Sequence, residues 1–177
     1  MSDIFARRGA LVALTLALAA CATPVPPATP VPAALTTATP EQMVALIRAA
    51  VNNTDNEFAV HPLRDPAVED LRAAAQRLEA QRNYAEAANA CDQALAIVPE
   101  DPALLQQRAE LALLLKDYAG AESRAKRAFE IGAQLGPLCR RHWATIEQVR
   151  LHAGDADGAA TAKREIAGCK VAALNRF

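Results

Sequence analysis

The chain has 177 residues with 19 basic and 20 acidic side chains, a formal charge of −1 at pH 7. So even a balance sets up no long-range field, which excludes nucleic-acid binding by bulk charge. Aromatic residues make up only 4% and alanine is abundant, a composition that suits closely packed helices and not a sheet protein.

The first element is an export signal. Asp3, Arg7 and Arg8 lie in the charged start, Gly9 to Leu18 carry no charge, and Leu18-Ala19-Ala20-Cys21 follows. A basic start, an apolar run of secretory length and small residues at the cut site are the parts of a signal peptide. The run is shorter than the roughly 20 apolar residues a spanning helix needs. Leu18-Ala19-Ala20-Cys21 resembles the bacterial lipobox. That resemblance implies a lipoprotein: diacylglyceryl transfer to the Cys21 thiol, cleavage before Cys21, and acylation of its new amine, by palmitate in the usual pattern. Three acyl chains, at about 0.8 kcal/mol per buried methylene, make such an anchor effectively permanent. The alternative is an ordinary signal peptide cut before Thr23, with Ala20-Cys21-Ala22 as the small-x-small site and Cys21 discarded. Arg7-Arg8 is followed by Gly9-Ala10-Leu11, a poor match to a twin-arginine signal. Ala22 stands where an aspartate usually retains Gram-negative lipoproteins in the inner membrane, so the resemblance implies the outer membrane and a chain facing the periplasm. Loss of residues 1–20 removes Arg7, Arg8 and Asp3, leaving 17 bases against 19 acids and a charge of −2.

Residues 21–39 form the lipidated cysteine and a spacer, with prolines at 24, 26, 27, 30 and 32. Proline locks φ and pushes the residue before it toward extended geometry. The result is a semi-rigid spacer of about 3.1 Å per residue, up to about 55 Å from Ala22 to Thr39. A proline-rich ligand would need flanking charges that are missing here. Residues 40–65 are expected to hold one helix and a loop. Thr39-Pro40-Glu41-Gln42 reads as an N-cap, a proline at the first helical position and a capping-box partner. Met43, Leu46, Ile47 and Ala50 mark one apolar stripe. The helix is expected to end near Val51, where Asn52-Asn53-Thr54-Asp55-Asn56 is turn chemistry. The stretch through His61-Pro62 carries no readable pattern.

From Asp65-Pro66 onward the sequence repeats. Arg82-Asn83-Tyr84-Ala85-Glu86-Ala87-Ala88 recurs as Lys116-Asp117-Tyr118-Ala119-Gly120-Ala121-Glu122, 34 residues later, and again as Gly154-Asp155-Ala156-Asp157-Gly158-Ala159-Ala160 after a further 38. Asn83, Asp117 and Asp155 stand as N-caps, with Glu86 completing a capping box on Asn83. Asp101-Pro102 repeats the start signal of Asp65-Pro66. Small Ala87, Ala121 and Ala159 allow close approach of paired helices. This period and these small positions resemble the tetratricopeptide repeat (TPR), a helix-turn-helix unit. Pro99 closes the first unit as family repeats often do, and Trp143 takes a large aromatic position early in the third. Ala74-Ala75 and Arg108-Ala109 replace the usual Leu-Gly, Cys91 and Ala125 replace a bulky aromatic, and two units lack the closing proline. The expected fold is all-α: a TPR-like domain over 66–177, a short α-solenoid of about three units (68–101, 102–135 and 140–171), preceded by one extra helix.

The resemblance implies stacked units whose first helices line a concave groove. In that register the groove residues are Arg72, Gln76, Gln106, Gln107, Glu110, Arg141, Thr145 and Gln148. Chaperone-binding members of the family clamp a partner's C-terminal carboxylate with Lys and Asn at such positions. Arg72, Gln76, Gln107 and Arg141 are chemically comparable, whereas Thr145 falls where a base is expected. A solvated polar face is the alternative. The compartment permits disulfides, and antiparallel helices of the third unit would set Cys139 beside Cys169. A bridge there closes a 30-residue loop, worth roughly 3–4 kcal/mol in the chain-entropy model. Cys91 is expected to be a buried, unreactive thiol.

Catalytic chemistry has little to stand on. His61, His142 and His152 show no HExxH spacing, Cys139-x-x-His142 is a weak metal pattern, and neither a nucleophile elbow nor a phosphate or dinucleotide loop is present. Arg124-x-Lys126-Arg127 and Arg140-Arg141-His142 are short basic clusters that read as solvated helix faces, with an acidic partner or the anionic membrane surface as the alternative. No cofactor or metal is expected beyond the lipid on Cys21. The reading is a lipid-anchored, non-enzymatic adaptor that binds an envelope protein or peptide in assembly or secretion. The alternatives are a structural element acting through its convex face or self-association, and an unrecognised hydrolase.

Overall fold

The computed structural model describes residues 32–51 and 65–170. The signal peptide, Cys21, most of the proline spacer and His61 lie outside the described residues. Within them the chain is all-helical: α1 (Pro40–Ala49), α2 (Pro66–Ala80), α3 (Tyr84–Ile97), α4 (Pro102–Leu114), α5 (Tyr118–Ile131), α6 (Pro137–His152) and α7 (Ala156–Gly168). Helices α2/α3, α4/α5 and α6/α7 pack as three successive hairpins, and α3 on α4 and α5 on α6 join them into a short solenoid.

Local chemistry explains the starts. Proline stands at the first position of α1, α2, α4 and α6, where its missing N–H costs nothing. Asp65 Oδ1 accepts from the Ala67 amide at 2.8 Å, and Asp101 Oδ1 from Ala103 and Leu104 at 2.8 and 3.0 Å. Thr39 and Gln42 close a full capping box on α1. The third unit departs from this pattern, because α6 begins at Pro137 behind Gly136 (φ 87°) with no side-chain cap. Its first helix therefore starts earlier than residue 140, and Cys139 lies inside it rather than before it.

The three hairpin turns share one geometry. Arg82, Lys116 and Gly154 adopt positive φ of 62°, 62° and 75°. In each turn the next residue's amide reaches back five positions: Asn83 to Leu78, Asp117 to Ala112 and Asp155 to Arg150, at 2.9, 2.8 and 2.9 Å. This is a Schellman closure of one helix whose last residue is also the N-cap of the next. Asp117 and Asp155 then accept from Gly120 and Gly158 at 2.9 Å. Asn83 makes no side-chain cap bond, so the capping box expected with Glu86 does not form there.

Ala87, Ala121 and Ala159 are buried at the hairpin contacts, where their size allows close helix approach. The core joins Ala75, Ala88, Cys91, Leu111, Leu113 and Val149 across the units. Trp143 packs edge-on to Phe129, ring centroids 5.0 Å apart. Cys139 and Cys169 are bonded, Cα atoms 5.7 Å apart, and the Gly136 amide donates to the Cys169 carbonyl at 2.7 Å. Both contacts tie the start of α6 to the end of α7.

Candidate functional site: the face of the first helices

Helix α1 packs on α4 and α6, the first helices of the second and third units. Six of the eight residues assigned to the groove stand on those two helices. Met43, Val44 and Ile47 of α1 are buried, whereas Leu46 is 53% exposed. The buried stripe therefore includes Val44 in place of Leu46. The 43-44-47 edge is the one that meets α4 and α6, and the 46 position points away from them.

Gln106, Gln107, Glu110, Thr145 and Gln148 are buried, against the expectation of an open polar face. Arg72 and Arg141 are partly buried, and Gln76 is exposed. The pattern of one helix marks a polar residue as solvent-facing and does not disclose a second helix lying on it.

Three of these groups, Gln106, Glu110 and Thr145, form one network with Arg141, His142 and Arg48, whereas the buried Gln107 amide has no hydrogen-bond partner among the described residues. Glu110, with no side-chain exposure, accepts from Arg141 Nε at 2.5 Å and Nη2 at 2.7 Å. From the other side, Arg48 of α1 donates through Nε to Glu110 at 2.9 Å and pairs through Nη2 with Glu79 of α2 at 2.8 Å. Gln106 Nε2 donates to Glu110 at 2.8 Å and to Thr145 at 2.9 Å. This leaves Gln106 Oε1 facing His142 Nδ1 at 2.8 Å. The arrangement is self-consistent: a flipped amide would set its oxygen against the carboxylate. His142 must then carry its proton on Nδ1 and leave Nε2 as a bare acceptor. Burial, with help from the Arg141 charge and against that of Glu110, lowers the His142 pKa to about 4. The imidazole is neutral at pH 7.

A carboxylate between two guanidinium groups is the chemistry of the clamp anticipated from the sequence, but here its occupant is internal. Glu110 already holds Arg141, so Arg141 does not stand open as half of a clamp. Arg72 pairs with Glu69 at 3.2 Å. Between α1 and the first hairpin lies a cleft lined by Glu41, Ala45, Arg48, Glu79, Tyr84 and Leu114, with the Tyr84 hydroxyl on Glu41 at 3.4 Å. Arg48 is the participant that sequence reasoning missed. Its only signal was a basic residue beside an apolar stripe.

The basic clusters are also engaged. Lys126 pairs with Glu122 at 2.6 Å, Arg124 with Asp117 at 3.6 Å, and Arg127 with Glu100. Arg140 and His142 are buried rather than solvated. Burial pushes the Cys91 thiol up to about 12, which removes it as a nucleophile at neutral pH.

No family model matches the chain, and none of the curated proteins matches it. Among solved structures it is similar to the globular C-terminal domain of P. aeruginosa LpoP, with 29% identity and a TM-score of 0.55. The match covers 59% of this chain and 99% of that domain.

Proposed function

We propose that the chain is a lipid-anchored adaptor of the bacterial envelope, held to the outer membrane through Cys21 and facing the periplasm, whose helical domain binds a protein or peptide partner in envelope assembly. The observation that carries this reading is the likeness to nearly the whole LpoP globular domain, set behind a lipobox and a proline spacer. The mechanism is binding and not catalysis: the lipid sets location, the spacer sets reach, and the repeat surface selects the partner.

Crosslinking of intact cells followed by capture through a C-terminal tag tests it. The expected outcome is a reproducible envelope protein, whether a pilus component, a secretin or an outer-membrane protein. Its capture should fall when Arg72 and Gln76 are replaced by Glu, since Gln76 is exposed and Arg72 only partly buried. A second reading is favoured by exposed Ile97, Val98 and Leu135: contact through the helix ends and outer face. In that case capture persists in the Arg72/Gln76 variant and is lost when those three become Ser. Capture of nothing beyond the chain itself overturns the adaptor.

A further inference from the structure

Resting on the adaptor reading, we propose that the α4/α6 surface under α1 is a helix-binding site selective for an amphipathic helix bearing an arginine. Helix α1 is its tethered resident, and a partner's helix of the same pattern replaces it. The pattern is read from the occupant: two adjacent apolar residues, a third four positions after the first, and arginine next, as Met43, Val44, Ile47 and Arg48 stand.

Two independent features of the site select that pattern. Apolar residues of α1 enter a shared core, where Val44 and Ile47 cluster with Leu111, Leu114, Ala144 and Val149. The charge is selected by Glu110, whose fully buried carboxylate presents one oxygen to Arg48 at 2.9 Å, with Glu79 receiving the same guanidinium at 2.8 Å. A lysine would supply one point donor where this pair of carboxylates engages two sides of a planar fork. An acidic or neutral residue at that position would leave Glu79 unpaired or repelled.

Replacement of α1 is compatible with a folded solenoid. Without Arg48, Glu110 still has the paired Arg141 contacts and the Gln106 amide, so no buried charge is abandoned. Arg48 and Arg141 keep 42% and 31% of their side chains exposed, which places the exchange at an accessible rim. A tethered helix competes at an effective concentration on the order of millimolar, so an external helix must bind well or find α1 weakened.

The test uses the full mature chain and a labelled synthetic peptide of residues 37–51 as the probe. The native chain should bind it weakly. Chains carrying Arg48→Glu, or separately Ile47→Asp, should bind it at least about tenfold more tightly, because the internal competitor has been weakened. Leu46→Ala, on the exposed side of α1, should behave as native. A peptide with its own Arg48→Glu change should bind none of these chains. Circular dichroism and a cooperative melt verify that both loosened chains keep the solenoid. Equal peptide binding by native and loosened chains, or none by two folded loosened chains, overturns the proposal. The adaptor reading is separable: peptide binding together with unchanged envelope capture upholds the helix site and overturns capture through this face.

Discussion

At the scale of single residues, the buried network under α1 makes stability depend on pH through His142. The side chain is fully buried, and its folded-state pKa lies near 4, below the ordinary value of about 6.5. The unfolded chain therefore takes up a proton at a pH where the native chain refuses it. Stability that depends on the neutral imidazole is complete above about pH 6.5 and is lost progressively as the pH falls toward 4. Between pH 7 and pH 5 the expected loss is about 2 kcal/mol, read from urea midpoints. In His142→Asn, which keeps a polar group near Gln106, that portion of the pH dependence should vanish. An unchanged slope would show that other groups govern it. Glu110 depends on its neighbours in a different way. A carboxylate without exposure is tolerable because two arginines and an amide replace the water it lost.

At the scale of elements, the third unit differs from the others by its staple. Its first helix starts without a side-chain cap, and among the described residues α7 packs chiefly on α6. The Cys139–Cys169 bond spans 30 residues and holds the uncapped start against the end of α7. Loop-entropy arithmetic gives it roughly 3–4 kcal/mol. Reduction, or Cys139→Ser with Cys169→Ser, should lower the melting temperature by on the order of 15 °C for a domain of this size. Thiol titration of the denatured, unreduced and acylated chain should find Cys91 alone; three reactive thiols would refute the staple. The repeat itself was legible because its signals are local: a cap, a proline, a tight turn and a small residue recur at fixed spacing. Arg82 and Lys116 take the positive-φ position that Gly154 fills in the third turn, so even the turn's register was visible before its geometry. The docking of α1 was not legible. Helical spacing identified an apolar stripe, but Val44 and Leu46 sit on either side of it, and only the partner surface decides which is buried. Gln106 and Glu110 read as groove-facing because their partners, His142, Arg141 and Arg48, are 36, 31 and 62 residues away in sequence.

At the scale of the molecule, the end of the spacer belongs to the folded domain. The Leu35 amide donates to the Leu151 carbonyl at 2.8 Å. A Cβ on Gly154 would stand 2.5 Å from the Ala33 carbonyl, so the third turn needs glycine for this contact, whereas Arg82 and Lys116 hold the same positive-φ position in the other two turns. The spacer length expected from the sequence, counted to Thr39, therefore includes residues that pack on the folded domain, and ten residues, Ala22 to Val31, lie between Cys21 and the first described one. The anchored reading turns on Cys21, the residue of the lipobox resemblance. Its replacement separates the two signal-peptide readings. If Cys21 is acylated, Cys21→Ser abolishes lipid attachment, and the chain should shift from the membrane fraction or persist as uncleaved precursor. Metabolic labelling with a palmitate analogue should fall to background in the same variant. If the cut instead falls before Thr23, position 21 is discarded during export. Fractionation, mature mass and labelling of the Cys21→Ser chain would then equal those of the native chain, and the anchored adaptor would have to be abandoned for a freely diffusing one.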